Sequence, residues 1–337
     1  MVFLRVMASS AEVSAPRYTI EHVDSRYLEW TDDYQVRLAE YNSTRKPILR
    51  STRTDLSCRA GAGGAWKVLP LELSFPEPLS LRPKLTVECR SPQGALPALV
   101  VHFDIGTGID SFAVEGRSVI GADVLTTPTG QLLQLGPKGE VKFYRRVAGA
   151  AEDFKPHRVN GKIFYSYMIN AVHSPGVSTA GYRTVLNSRY EVVETPDFLM
   201  DLHEFEYLGP KHYLYLSYDV KDRADGSCMI DQSVIEKKDG RILKRFDVSE
   251  YLQSGYSLGG NHTVAFRGRE CDEVAHINSV QRVGLKTWLI GLGRGTIVSW
   301  DSVARKVNWI FGRFGSHFEI GPSVELKQTH TPRLFEN

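Results

Sequence analysis

The chain has 337 residues, enough for two domains with cores of their own, and its 42% hydrophobic and 24% charged residues exclude a disordered chain or a disulfide-dense miniprotein. Lysine and arginine number 41 against 39 aspartate and glutamate, so a net charge of +2 offers no global field for nucleic acid or an anionic membrane surface. No apolar run approaches the roughly 20 residues that cross a bilayer, and membrane insertion is not expected.

Residues 1–16 (MVFLRVMASSAEVSAP) carry small residues near 8–15 but only a broken apolar core, interrupted by Arg5; they make a poor signal peptide and are expected to be poorly ordered. Residues 17–102 then alternate short β-type runs with turn clusters. Arg17-Tyr-Thr-Ile20, Tyr34-Gln-Val-Arg-Leu38, Leu71-Glu-Leu-Ser-Phe75 and Lys84-Leu-Thr-Val-Glu-Cys89 are the strands, and the spacing predicts a small antiparallel β-sandwich. Its Ala60-Gly-Ala-Gly-Gly64 run does not follow a strand and open a helix, so it is a surface turn rather than a dinucleotide loop. Cys58, Cys89, Cys228 and Cys271 show no CxxC pairing, which leaves buried or free thiols as the default. Cys58 with Cys89, both in the predicted sandwich, is the best candidate for a bridge, and a bridge would imply an oxidising compartment.

From residue 103 to 337 the rhythm changes to strands paired across tight Gly turns, with almost nothing that reads as a long amphipathic helix. Gly130 to Tyr144 forms one such unit. Ser233 to Phe246 forms another, with Asp239-Gly240 as its hairpin. Histidines recur ahead of strands at His157, His203, His276 and His330, separated by 203 − 157 = 46, 276 − 203 = 73 and 330 − 276 = 54 residues. A propeller blade takes about 40–50 residues, so two gaps suit one blade each and the third needs an insertion, for which the Gly- and Ser-rich residues 248–271 serve. The expected fold is therefore all-β, a β-propeller behind a small N-terminal sandwich.

Repeat geometry brings residues at equivalent blade positions to one end of a central channel, so distant histidines can share a site. Three imidazoles with Arg294 can ligate a metal, with Asp201 or Asp272 as a carboxylate ligand, or can bind an oxyanion; the arginine favours the anion. Trp288, Trp300 and Trp309 fall on strands and are expected to pack between blades. His212, His262 and His317 are expected in solvated turns, and His173 in a loop.

Three segments carrying these residues resemble the bacterial arylsulfate sulfotransferase family, six-bladed propellers preceded by a β-sandwich. They are Asp201-Leu-His-Glu-Phe-Glu-Tyr-Leu208 running to Tyr213-Leu-Tyr-Leu-Ser-Tyr218; His276-Ile-Asn-Ser-Val280 running through Arg294 to Lys306-Val-Asn-Trp-Ile-Phe-Gly312; and Gln328-Thr-His-Thr-Pro332. The likeness runs from about residue 144 to the end. Four to five blades can be counted, so the propeller is expected to be incomplete at its C-terminus.

The resemblance implies nucleotide-independent transfer of a sulfuryl group from a phenolic sulfate ester to a phenol through a sulfohistidine, with no cofactor. It implies His330 as nucleophile, His203, His276 and Arg294 as an anion clamp, and aryl sulfates and phenols as partners in a periplasmic or secreted setting; His157, whose blade-entry position matches the other histidines, and Asn278 of the His276 motif are expected to line the substrate. Two departures stand out: Arg294 lies two residues closer to the next strand than the family pattern has it, and Thr329 separates Gln328 from His330. The shifted Arg294, with the expected incompleteness at the C-terminus, motivates the alternative expectation, a propeller scaffold that binds or interacts without turnover.

Overall fold

The computed structural model describes residues 18–74, 84–103, 123–128, 130–174, 178–253, 262–266, 269–273, 275–293, 295–312, 315–319 and 321. The fold is all-β and propeller-like, and among the described residues the sole α-helix is the short Val248–Gln253. The chain divides into two compact units, residues 1–124 with 133–146, and residues 125–132 with 147–337. The expected domain limit at 102/103 adjoins residues 104–122, which lie outside the described residues.

In the first unit one sheet runs in the order Leu28–Asp32, Gln35–Leu38, Leu99–Phe103, Lys84–Ser91, Ser57–Ala60, Lys67–Val68, and a second joins Tyr18–Glu21, Ile48–Ser51 and Leu71–Glu72. Leu99–Phe103 shows why: its side chains alternate buried and half-buried, the period of a strand with one face on a core. Val36, Leu38, Leu49, Leu56, Val87, Leu99 and Val101 from these elements form that shared core. Cys58 and Cys89 face each other across adjacent strands and are bridged, as the sandwich placement led us to expect.

The second unit is built from successive antiparallel meanders of four strands, the topology of propeller blades. The first comprises Ala151–Val159, Lys162–Ser174, Ser178–Asn187 and Val192–Glu194, with Met200–Asp201 added against Ser178–Asn187. The second comprises Phe205–Gly209, His212–Asp222, Cys228–Lys238 and Arg241–Asp247. The third comprises Ile277–Val283, Thr287–Leu292, Thr296–Asp301 and Lys306–Gly312. The Asp239-Gly240 turn has φ of 48° and 80°, and Asn160-Gly161 repeats it at 49° and 76°. Positive φ at both central residues is the turn whose twist matches paired strands, which is why Asx-Gly specifies these hairpins.

The insertion expected over 248–271 contains the Val248–Gln253 helix and a hairpin of His262–Phe266 with Arg269–Glu273. Its second strand pairs in parallel with Cys228–Lys238, at Met229 with Asp272 and Ile230 with Glu273. Cys228 and Cys271 are bridged there, so the default expectation of free thiols is overturned at both pairs. Trp288 is fully buried, and Trp300 packs edge-on to Phe246 at 5.1 Å, which joins the second meander to the third as expected of inter-blade tryptophans. His212 corrects its expectation. It opens a strand rather than sitting in a solvated turn, and its Nε2 lies 2.9 Å from the buried Glu236 carboxylate. His173 and His262 likewise fall within strands, Lys162–Ser174 and His262–Phe266.

Candidate functional site

His203 lies on the link from Met200–Asp201 to Phe205–Gly209, and His276 stands directly ahead of Ile277–Val283. These two residues, 73 apart in sequence, meet: their ring centroids are 5.2 Å apart with the planes at 79°. The His203 Nδ1 is 2.7 Å from Asp201 Oδ1, and the His276 Nδ1 is 2.7 Å from Glu273 Oε1. A carboxylate at Nδ1 takes the Nδ1–H and fixes the ring. Each Nε2 is then turned away from its carboxylate, with no hydrogen-bond partner among the described residues.

Local sequence explains both placements. Asp201 Oδ1 also accepts the His203 backbone N–H at 2.9 Å, an Asx turn that an Asp-x-His spacing allows. The Leu202 carbonyl between them accepts from Arg183 Nη2 at 2.8 Å, and this fully buried guanidinium is held in turn by Asp153 at 2.6 Å and lies over the Phe205 ring. His276 has φ of 54°, a left-handed conformation costly for a residue with a Cβ and found where surrounding structure imposes it. What imposes it is visible. Gly293 N–H donates to the His276 carbonyl at 2.7 Å, and Gln232 accepts from Ile277 N–H at 3.0 Å while donating to Glu273 at 3.2 Å. Tyr218, stacked on His203 at 6.3 Å, donates its hydroxyl to the Ile277 carbonyl and so ties the two histidine segments together.

Gly293 is a close approach that no other residue can make. A Cβ there would lie 2.8 Å from both the ring Cδ2 and the carbonyl oxygen of His276. Gly293→Ala is therefore expected to displace the His276 ring. A change in the His276 side-chain NMR resonances at unchanged thermal stability checks this, and resonances that stay in place would contradict it.

Burial pushes the His203 imidazole down, but the hydrogen bond and charge of Asp201, with Asp153 and Glu273 beyond, outweigh it and hold its pKa above the ordinary value. The ring thus keeps its second proton to higher pH. Tyr218 is held well above the usual phenol range, first by burial and then by Asp201 and Glu273, so it remains a donor. Lys155 bridges Asp153 at 2.9 Å and Glu204 at 2.7 Å, so the histidines sit in a lattice of alternating charge.

No family model and no curated protein matches the chain. Among solved structures it is similar to BamB from Moraxella catarrhalis, with 11% identity, over 82% of this chain and 76% of that one, at a TM-score of 0.29. A likeness that loose carries no argument about function, and the site has to be judged by its own residues.

Of the residues expected to form it, His203 and His276 are brought together. Asn278 lies close by, buried, its Nδ2 against the space beside Gly293. Arg294 and His330 lie outside the described residues. His157 does not join them. It falls inside Ala151–Val159 rather than ahead of a strand, accepts the Tyr207 backbone N–H at Nδ1, 3.3 Å, and donates Nε2–H to Ser166 Oγ at 2.8 Å. Burial first, then the charges of Lys155 and Arg183, push its pKa down to about 3, so it is a neutral structural histidine with both nitrogens engaged. Asp272, a possible metal ligand from sequence, is turned to Arg223 at 2.5 Å. Among the described residues no group of three or more His, Cys, Asp or Glu is placed to hold a metal ion. The residues that sequence reasoning missed are Glu273, Gln232, Tyr218 and Arg183. A carboxylate two or three positions before each histidine was the available signal; the others lie on strands remote in sequence.

Proposed function

We propose that the chain is an aryl sulfotransferase that moves a sulfuryl group from an aryl sulfate to a phenol without a nucleotide. The observation that carries this reading is the convergence of His203 and His276 from separate sheets, each Nδ1 fixed by a carboxylate and each Nε2 left to act. When protonated, each ring turns an Nε2–H toward the oxygens of a sulfuryl group, on which charge collects during transfer; when neutral, with its proton on Nδ1 against the carboxylate, it offers Nε2 as an acceptor. One of them can also protonate the departing phenolate and later take the proton of the incoming phenol. By resemblance His330 supplies the attacking nitrogen: its lone pair forms the N–S bond as the S–O bond to the first phenol breaks, and the second phenol reverses the step. The two disulfides fit the oxidising compartment that the resemblance implies.

The pH dependence follows from Asp201. If His203 acts as imidazolium, transfer falls as pH rises through its raised pKa, and Asp201→Asn, which keeps an acceptor oxygen but removes the charge, moves that alkaline limb to lower pH. The same raised pKa stabilises the fold fully below the ordinary histidine value of 6.5 and ceases to do so as pH rises through the folded one. Rate profiles of the two proteins with one aryl sulfate measure this; an alkaline limb that stays in place in Asp201→Asn rules out His203 as the titrating group.

The same carboxylate–histidine arrangement also orients metal ligands, and this favours a metal-dependent hydrolase as the second reading. The described residues supply two imidazoles and no third ligand. Stoichiometric zinc, copper or iron on the purified chain would reverse the order of the two readings.

A further inference from the structure

A cleft of about 250 Å³ opens between Met200–Asp201 of the first meander and His212–Asp222 of the second, walled by Leu199, Met200, Asp201, Ser217, Tyr218 and Asp219. None of the residues lining it is basic. The Asp201 side chain is 1% exposed, and while its Oδ1 holds His203, its Oδ2 has no hydrogen-bond partner. A buried carboxylate oxygen without a donor is costly, and the cost is relieved by whatever brings an N–H into the cleft. Asp219 stands exposed on His212–Asp222, within 3.3 Å of the Ser217 hydroxyl, and the exposed Leu199 adds apolar surface to the lining.

We propose that this cleft binds the ammonium group of a small organic amine, with Asp201 at its floor, Asp219 at its mouth and the carbon skeleton against Leu199. A bare metal cation fits less well. Hard cations gather six or more oxygens, and two carboxylates with one hydroxyl fall short. The volume lies just below the range of small-molecule sites. An ammonium needs two or three acceptors and carries apolar surface with it, which is what the lining offers. Because Asp201 is shared, an occupant and His203 draw on one carboxylate, so binding is felt at the histidine pair. The inference stands on the cleft alone and does not rest on sulfuryl transfer.

The test is a titration of the isotope-labelled full chain with three ligands of one ring and different charge: benzylammonium, benzyl alcohol and benzoate. Benzylammonium is expected to bind at least about tenfold more tightly than the alcohol, benzoate not measurably, with the His203 side-chain resonances moving on saturation. The exposed Asp219→Asn, which leaves Asp201 and its histidine untouched, is expected to weaken the amine by roughly fivefold. Equal affinity for amine and alcohol would overturn the proposal, since the cleft would then be merely apolar. So would the absence of binding by all three at millimolar concentration, or amine binding that neither moves His203 nor responds to Asp219→Asn.

Discussion

Substitution of His276 by Gln is expected to lower sulfuryl transfer by about 10²–10⁴-fold, the range for loss of a positioned proton donor or anion ligand. The loss should fall on kcat more than on KM, because the donor is matched to charge that develops during transfer rather than to the bound ester. The fold should survive. Glu273, which loses the imidazole, still receives Gln232 at 3.2 Å, and the ring itself is half-buried rather than in the core. His203→Gln should give a comparable loss in rate but more loss of stability, because the Asp201 carboxylate is buried and its Oδ2 already lacks a donor. If the two rings act on one group, the double variant loses much less than the product of the two single losses. Rates and urea unfolding of the three variants separate these terms; a His276→Gln protein with wild-type kcat would remove the site from the reaction.

Removal of the Cys228–Cys271 bridge, as the double serine variant, is expected to lower unfolding free energy by about 4 kcal/mol from loop-closure entropy over its 43-residue separation. The consequence goes beyond stability. The bridge fastens a short parallel pairing in which Ile230 stands opposite Glu273, and Glu273 in turn holds His276. Loosening that pairing frees the carboxylate that sets the ring. The variant should therefore lose activity at denaturant concentrations where it is still folded, while an equivalent variant at Cys58 and Cys89, in the other compact unit, should lose stability alone. Denaturant midpoints with parallel rate measurements test this; a loss of less than about 1 kcal/mol, or equal effects on activity from both bridges, would contradict it.

Local signals in the sequence carried the fold a long way. Asp239-Gly240 specified its hairpin because an Asx-Gly pair adopts two positive φ values cheaply, and the run Lys84-Leu-Thr-Val-Glu-Cys89 located the strand Lys84–Ser91. Cys58 and Cys89 were legible because both fell in one predicted sandwich, where they lie on adjacent antiparallel strands. Cys228 and Cys271 were not, because a parallel pairing formed across an insertion leaves no local pattern. In the site, His203 and His276 were found through the resemblance and their place ahead of strands. His157 misled because a histidine spacing does not register the irregularity between Glu152 and Lys155, which carries Asp153 at φ 50° and runs the strand on past His157. Arg183, Gln232 and Tyr218 sit on inner strands, where a polar residue reads as ordinary until its partner across the sheet is known.

The most direct measurement is the fate of the sulfuryl group when the purified, metal-free chain meets 4-nitrophenyl sulfate, with and without phenol and with no nucleotide present. The account predicts phenyl sulfate formed in step with nitrophenolate release, dependent on phenol and lost in His276→Gln. Nitrophenolate release that ignores phenol, or no turnover and no acid-labile adduct on His330, would contradict it.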